Sequence, residues 1–353
     1  MAASARIVLS TSHMTTVADL LDHAEHLVAL ELTDRSANEI YELCFSRLTR
    51  PDPSSFLQQQ DRSKGLNETV LMMGTDQRDL FVPILRSKAQ FLNVGDRIAD
   101  LGCGDGQTSK HLWAEIGHSV DVDLLDPNPS YLAAHKALIG VYQNVRLLDD
   151  TQASFDEWID LGGTIGASRY KLILLLHSIY FTTDLKRLLH HLIDRLEPDA
   201  EVLLVFADEL QGYTGKVVCN HLQSIDGALA SAYERRIRER HAIFGIEGSS
   251  TNVALRTEIL HAELNREDVD CVYFETQPSR IYGAALTDIL AAAFITGLAS
   301  MSDVVIDKKM REVKDLLARD PGSIGLAVES AGPRIRWLSV SQPQHVVILR
   351  KHR

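Results

Sequence analysis

Cysteine is scarce, with Cys44, Cys103, Cys219 and Cys271 the only four in 353 residues. They lie far apart and form no CxxC, which argues against a zinc site or a disulfide framework and leaves no metal expected. A reducing cytoplasm is the expected compartment. Positive charge is also in short supply, since 36 Lys and Arg face 48 Asp and Glu for a net charge of −12. That balance repels phosphate backbones and anionic bilayers, so neither nucleic acid nor membrane is expected as a partner. Long hydrophobic runs are missing too: no stretch reaches the roughly 18 apolar residues of a membrane-spanning helix. The first 25 residues hold His13, Asp19, Asp22, His23 and Glu25 and no sustained apolar segment, which argues against a secretory signal.

What is present is ordinary for a globular protein, 45% apolar and 24% charged residues. The length suits one large domain or one core with appended elements, as a monomer or homodimer. From Thr16 to Arg50 apolar residues recur at three- and four-residue intervals, the period of amphipathic helices. The prolines of RPDPSSF break that pattern. A further helix is expected near Gln77 to Phe91.

The rhythm then changes. RIADLG, VDVDLLDP and NVRLLDD read as strands, separated by helices over about Gln107–Ile116 and Pro129–Ile139. Such alternation implies βαβ units and a parallel sheet. YKLILLLHS is the nearly continuous apolar run of a central strand buried on both faces. TDLKRLLHHLIDRLEPDAEVLLVFAD adds a helix, a turn at Pro198 and a strand. Residues 212–275 read as helical, with YERRIRER as a solvated charged face, and the apolar stretch around Ala284–Leu298 suits a core helix. RIRWLSV and HVVILRK are expected to form a hairpin that joins the sheet antiparallel. The predicted fold is therefore α/β and Rossmann-like. Its expected parts are a helical N-terminal cap over residues 1–94, a nucleotide-binding core over 95–210, and a helical C-terminal insertion with closing strands over 211–353.

The chemistry concentrates in IADLGCGDGQT. A glycine-rich turn after the first strand of such a core lets backbone approach a ligand where a Cβ would clash. Gly102, Gly104 and Gly106 stand two apart, so the third comes one residue earlier than in the dinucleotide pattern G-x-G-x-x-G. Asp100 ends the strand and Asp105 sits within the turn, and carboxylates there would repel a pyrophosphate. They suit a cationic nucleoside, and S-adenosylmethionine (SAM) is one. Asp126, 22 residues after Gly104, stands near the position from which an acid accepts ribose hydroxyls, with Asn128 close behind. Asp149 and Asp150 end the third strand beside Thr151, where a side chain can bond the adenine amino group. An acid at a strand end can also be a solvated cap, the favoured reading for Asp149, whereas Gly102, Gly104 and Asp126 together in this order favour a bound ligand. Cys103 reads as a small space-filler among the glycines, with no paired base nearby in sequence.

D-L-G-C-G-D-G, L-L-D-P, L-L-D-D and L-I-L-L-L-H-S, in that order over Ile98–Phe206, resemble the successive motifs of class I SAM-dependent methyltransferases. The resemblance implies SAM as cofactor, with Asp100, Gly102, Cys103, Gly104, Gly106, Asp126, Asn128, Asp150 and Thr151 around it. The NPPY-type tetrapeptide of amino-methylating nucleic-acid and glutamine enzymes is missing, and His177, Ser178, Ile179 and Tyr180 stand there instead.

A second, weaker resemblance, to histamine N-methyltransferases, rests on LNETVLMMGTDQRDLF, LLHSIYF and QHVVILRK. It implies Glu68 and His177 as catalytic and substrate-binding residues, with Tyr180 and Phe181 lining the pocket. His177 stands where that family has a glutamine, and Ser341 approximately where it has an asparagine. The expected reaction is N-methylation of a small amine or imidazole-like molecule. The alternatives are an O- or C-methyltransferase of natural-product biosynthesis and a catalytically silent SAM-binding module. Glu68 could also be a surface carboxylate after Asn67, and His177 a satisfied structural histidine.

Overall fold

The computed structural model describes residues 73–160, 169–216, 219, 223, 227–246, 252–283, 325–330 and 336–352. Most of the expected N-terminal cap, including Glu68, and the stretch Ala284–Leu298 lie outside the described residues. The chain divides into two compact units, one of Arg78–Ala207, Arg238–Gln277 and Gln344–Arg353, the other of Met1–Gln77, Asp208–Ile237 and Pro278–Pro343. No helix among the described residues is long and apolar enough to cross a membrane.

The first unit is built on a seven-stranded sheet. In chain order its strands are β2 (Arg97–Leu101), β3 (Val120–Leu125), β4 (Val145–Thr151), β5 (Tyr170–Leu176), β6 (Leu196–Ala207), β7 (Val269–Gln277) and β11 (Gln344–Lys351). Their order across the sheet is β4-β3-β2-β5-β6-β11-β7. The five strands from β4 to β6 are parallel, and β11 runs antiparallel between β6 and β7. This is the Rossmann-like sheet that the strand and helix alternation predicts. The order reverses at β2, whose neighbours are β3 and β5, and ligands of open α/β sheets lie outside the carboxyl ends of the strands at such a point.

Flanking helices follow from local sequence. Asn128 caps α3 (Pro129–Ile139) by accepting from the Ser130 N–H at 2.9 Å, with Pro129 supplying the preset φ of a first helical turn. Asp184 caps α5 (Leu185–Asp194), which buries Leu185, Leu188, Leu189 and Leu192 against the sheet at helical spacing. The preceding helices are α1 (Gln77–Ser87), α2 (Lys110–Trp113) and α4 (Phe155–Asp160); α6 (Gly227–Ile243) and α7 (Val253–Leu264) come later. The core lies on both faces of the sheet, with Phe81 and Trp113 in one layer and Trp158, Tyr170 and Phe206 in the other.

Four local expectations are corrected. The helix expected over Gln107–Ile116 shrinks to α2, because the loop spends residues 107–109 in turns after Gly106. Pro198 does not end an element: β6 runs through it. Opposite β5 the register steps from Tyr170↔Leu196 to Leu172↔Glu201, and Asp199 takes φ 57° in the resulting bulge. The stretch read as helical contains β7, whose sequence VDCVYFETQ is rich in β-branched and aromatic residues. The expected C-terminal hairpin is split between sheets, with β11 between β6 and β7, and β10 (Arg336–Ser341) between β8 (Arg280–Gly283) and β9 (Ala327–Ser330).

The second unit carries that smaller sheet, of order β1-β8-β10-β9 with β1 at Met73–Thr75. Asp76 ties it together by accepting from the Arg280 N–H at 2.6 Å and the Tyr282 hydroxyl at 2.9 Å.

Candidate active site

The loop after β2 takes its shape from its glycines. Gly102, Gly104 and Gly106 have φ of 65°, 55° and 78°, the left-handed region that costs other L-residues energy. A Cβ on Gly102 would strike Ser178 after β5, and one on Gly106 would strike the His135 ring of α3. On Gly104 it would meet nothing within 4 Å. Two glycines therefore seat the loop on the sheet and the third leaves backbone facing open space, the cradle a nucleoside fits.

Asp126, just past β3, is the loop's anchor. Its Oδ2 accepts from the Gly104 N–H at 2.9 Å and its Oδ1 from the Asn128 N–H at 2.9 Å. Asn128 spends its side-chain carbonyl on the helix cap. Thr151 accepts the Asp126 N–H through its carbonyl at 3.3 Å. Asp150 is exposed and paired with Lys136 at 3.0 Å. In the turn, Asp105 accepts from the Gln107 N–H at 3.1 Å.

Asp100 lies beneath the loop, 1% exposed. Ser109 donates to its Oδ2, and the buried His135 ring stands 4.0 Å away. Burial, against the Ser109 bond and aided by the nearby Asp126 charge, raises its pKa from 3.8 to about 7. Burial also pushes the Cys103 thiol well above its usual range, with Asp100 and Asp126 adding to the effect, so the sulfur carries little thiolate.

At the carboxyl end of β5, on the other side of the switch point, His177 adopts φ 58°, an uncommon conformation for a residue with a side chain. Its N–H donates to the Val205 carbonyl at 2.7 Å, which holds the turn. Its ring meets Tyr180 Oη at 3.2 Å through Nδ1 and Gln344 Oε1 at 3.1 Å through Nε2, and packs 5.8 Å from the Phe81 ring. Burial lowers its pKa from 6.5 to about 4, with the Arg78 charge contributing and the Gln344 bond opposing. The imidazole is neutral at pH 7.

Tyr180 is half-buried, whereas its neighbour Phe181 is 53% exposed and meets it edge-on at 6.2 Å. The Arg240 guanidinium lies 5.7 Å from the Tyr180 ring centre. Arg240 is buried, so the YERRIRER helix is not solvated along its whole length. Glu68 lies outside the described residues, and Ser341 ends β10 in the other unit. Sequence reading missed Gln344, Arg240 and Arg78. The available signal was a glutamine opening the otherwise apolar strand QHVVILRK, and arginines inside helices whose buried side could not be read from charge alone.

Fold and loop together define a Rossmann-like sheet of the class I methyltransferase kind. Residues 75–241 match the family described as a methyltransferase domain, so this part of the chain forms a methyltransferase domain. No curated protein sequence matches the chain, and the narrower likeness to histamine N-methyltransferases is without support. Among solved structures, the chain is similar to the plantazolicin methyltransferase BpumL in complex with a triazolic desmethylPZN analog and SAH. The identity is 14%, with 95% of this chain and 99% of that chain covered and a TM-score of 0.38. It is also similar to the YcgJ protein from Bacillus subtilis, at 11% identity over 78% of this chain and 99% of that one, TM-score 0.41. The [4+2]-cyclase SpnF aligns at 11% identity over 78% and 81% of the two chains, TM-score 0.40.

Proposed function

We propose that this methyltransferase N-methylates a small amine or imidazole-like molecule by direct in-line transfer, with Gly102–Gly106 and Asp126 holding the donor and His177, Tyr180 and Phe181 flanking the acceptor. Cys103 fills space within that loop, Asn128 and Thr151 brace Asp126, and Asp100 and Asp150 support the loop and β4 from outside the cradle. Glu68 would add a carboxylate for the amine. SAM supplies a methyl already activated on a sulfonium.

The choice of nitrogen over oxygen rests on the surroundings of His177, whose ring is held between the Tyr180 hydroxyl, the Gln344 carbonyl and the Phe81 ring. A phenol of pKa about 10 must lose its proton to become a good nucleophile, and an imidazole near pKa 4 is a weak base for that task. An amine in its neutral form already offers a lone pair. What it requires from the protein is orientation and exclusion of water, which the half-buried His177 and Tyr180 supply. The enzyme would work in the cytoplasm as a monomer or homodimer.

The test is transfer of a labelled methyl from SAM to matched panels of amines, azoles and phenols. Methylated nitrogen supports the reading. Product from phenols or carbon acids alone overturns it in favour of the O- or C-methyltransferase, and no transfer to any acceptor favours a silent binding module.

A further inference from the structure

Three strand ends meet beside His177. In register, Gln344 at the start of β11 lies opposite Ala207 at the end of β6 and Gln277 at the end of β7. Both glutamines are buried, Gln344 fully and Gln277 at 5% exposure. A buried amide keeps its hydrogen-bonding groups satisfied, and here the satisfaction runs in one direction.

One end of the Gln277 amide faces the Leu80 carbonyl at 3.1 Å and the Glu275 carboxylate at 2.9 Å. Both partners are pure acceptors, so that end is the NH2 group and the other is the carbonyl. The carbonyl accepts at 2.7 Å from Gln344, which must therefore present its own NH2 there. This turns the Gln344 carbonyl toward His177 Nε2 at 3.1 Å, and a carbonyl can only accept, so Nε2 carries the proton. Nδ1 is then a lone pair, and the Tyr180 hydroxyl at 3.2 Å donates to it. The same hydroxyl oxygen accepts from the Ala207 N–H, which leaves its proton no reason to point back along β6. Every bond in the series Glu275, Gln277, Gln344, His177, Tyr180, Ala207 is consistent with the next.

We infer that Gln277 and Gln344 are positioning residues that hold His177 as its Nε2–H tautomer and thereby fix the direction of the Tyr180 hydroxyl at the acceptor site. The left-handed backbone at His177 belongs to the same device. It lets a residue at the very end of β5 turn its ring toward β11, and strain of this kind persists where surrounding contacts over-determine it. The acceptor side of the inference rests on the function proposed above; the tautomer does not.

The experiment is 15N–1H correlation of histidine ring nitrogens in the full chain bound to S-adenosylhomocysteine, with the His177 signals among the 14 histidines assigned by their loss in His177→Gln. The expected result is protonation at Nε2 alone. Gln344→Met, which removes the acceptor, populates the Nδ1–H form, whereas Gln344→Glu keeps Nε2–H and raises the His177 titration midpoint, because a carboxylate favours imidazolium. With an accepted amine, Gln344→Met lowers kcat about tenfold while KM for SAM stays put, the size expected when a buried donor loses its partner. A wild-type Nδ1–H tautomer, or a Gln344→Met spectrum identical to wild type, overturns the inference. Where Gln344→Met no longer binds S-adenosylhomocysteine, Gln277→Met repeats the test one bond further away. An inert acceptor panel alongside the expected tautomers sinks the proposed reaction and leaves the positioning role standing.

Discussion

Asp100→Asn separates a carboxyl that serves a ligand from one sealed under the loop. Asp100 is 1% exposed and held at about 7 against an ordinary 3.8, mainly by burial. A group whose folded pKa is raised contributes stability below its unfolded pKa and loses it as pH rises through the folded one. Each unit corresponds to about 1.4 kcal/mol, so ionising this carboxyl within the fold costs about 4 kcal/mol once the pH passes both values. Asparagine keeps an oxygen for the Ser109 hydroxyl and cannot ionise. The variant is therefore expected to match wild type near pH 4 and to exceed it by about 4 kcal/mol near pH 8. His177 shifts stability in the opposite sense but is shared by both proteins and cancels in the difference; His135, 4.0 Å from Asp100, is held constant by repeating the comparison in a His135→Gln background. Urea unfolding at several pH values, without SAM, measures it. A pH-independent difference, or a variant less stable at pH 8, refutes the burial argument.

Three further outcomes follow from the same geometry. Asp126→Ala removes the acceptor of the Gly104 N–H and weakens SAM binding in calorimetry by about 10- to 100-fold, the worth of a hydrogen bond to a charged group; unchanged affinity would place the donor elsewhere. His177→Ala lowers turnover much more than SAM affinity, and the reverse pattern rejects its place beside the acceptor. Glu201→Ala strands Lys88, paired at 2.6 Å and nearly buried, and also releases Arg350, costing about 3–5 kcal/mol in chemical unfolding with little effect on SAM affinity per folded molecule.

The parallel sheet was legible because its signals are local. The central strands are short apolar runs, α3 and α5 carry their own caps, and the glycines of the loop stand close together in sequence. What the loop's acids do was not legible. Asp100 and Asp126 look alike as acids at strand ends, and only the fold puts Ser109 and His135 on one and the Gly104 N–H on the other. The same holds for His177, whose basicity depends on burial and whose tautomer depends on Gln344, 167 residues away. β7 was missed because two of its exposed positions are polar and it follows a long helical stretch, and it becomes a strand by pairing with β11 at the chain's far end.

In the proposed function the backbone around Gly104 faces the donor's nucleoside. Calorimetric titration of Gly104→Val with S-adenosylhomocysteine tests this placement, since the added side chain enters space that the fold itself does not use; because φ 55° strains any side chain there, unfolding of the free variant is measured alongside to show that the loop's fold survives. Wild type is expected to bind tightly, the variant to give no measurable heat, and NAD to give none with either protein. Retained affinity in Gly104→Val, or tight binding of NAD by wild type, would contradict that placement.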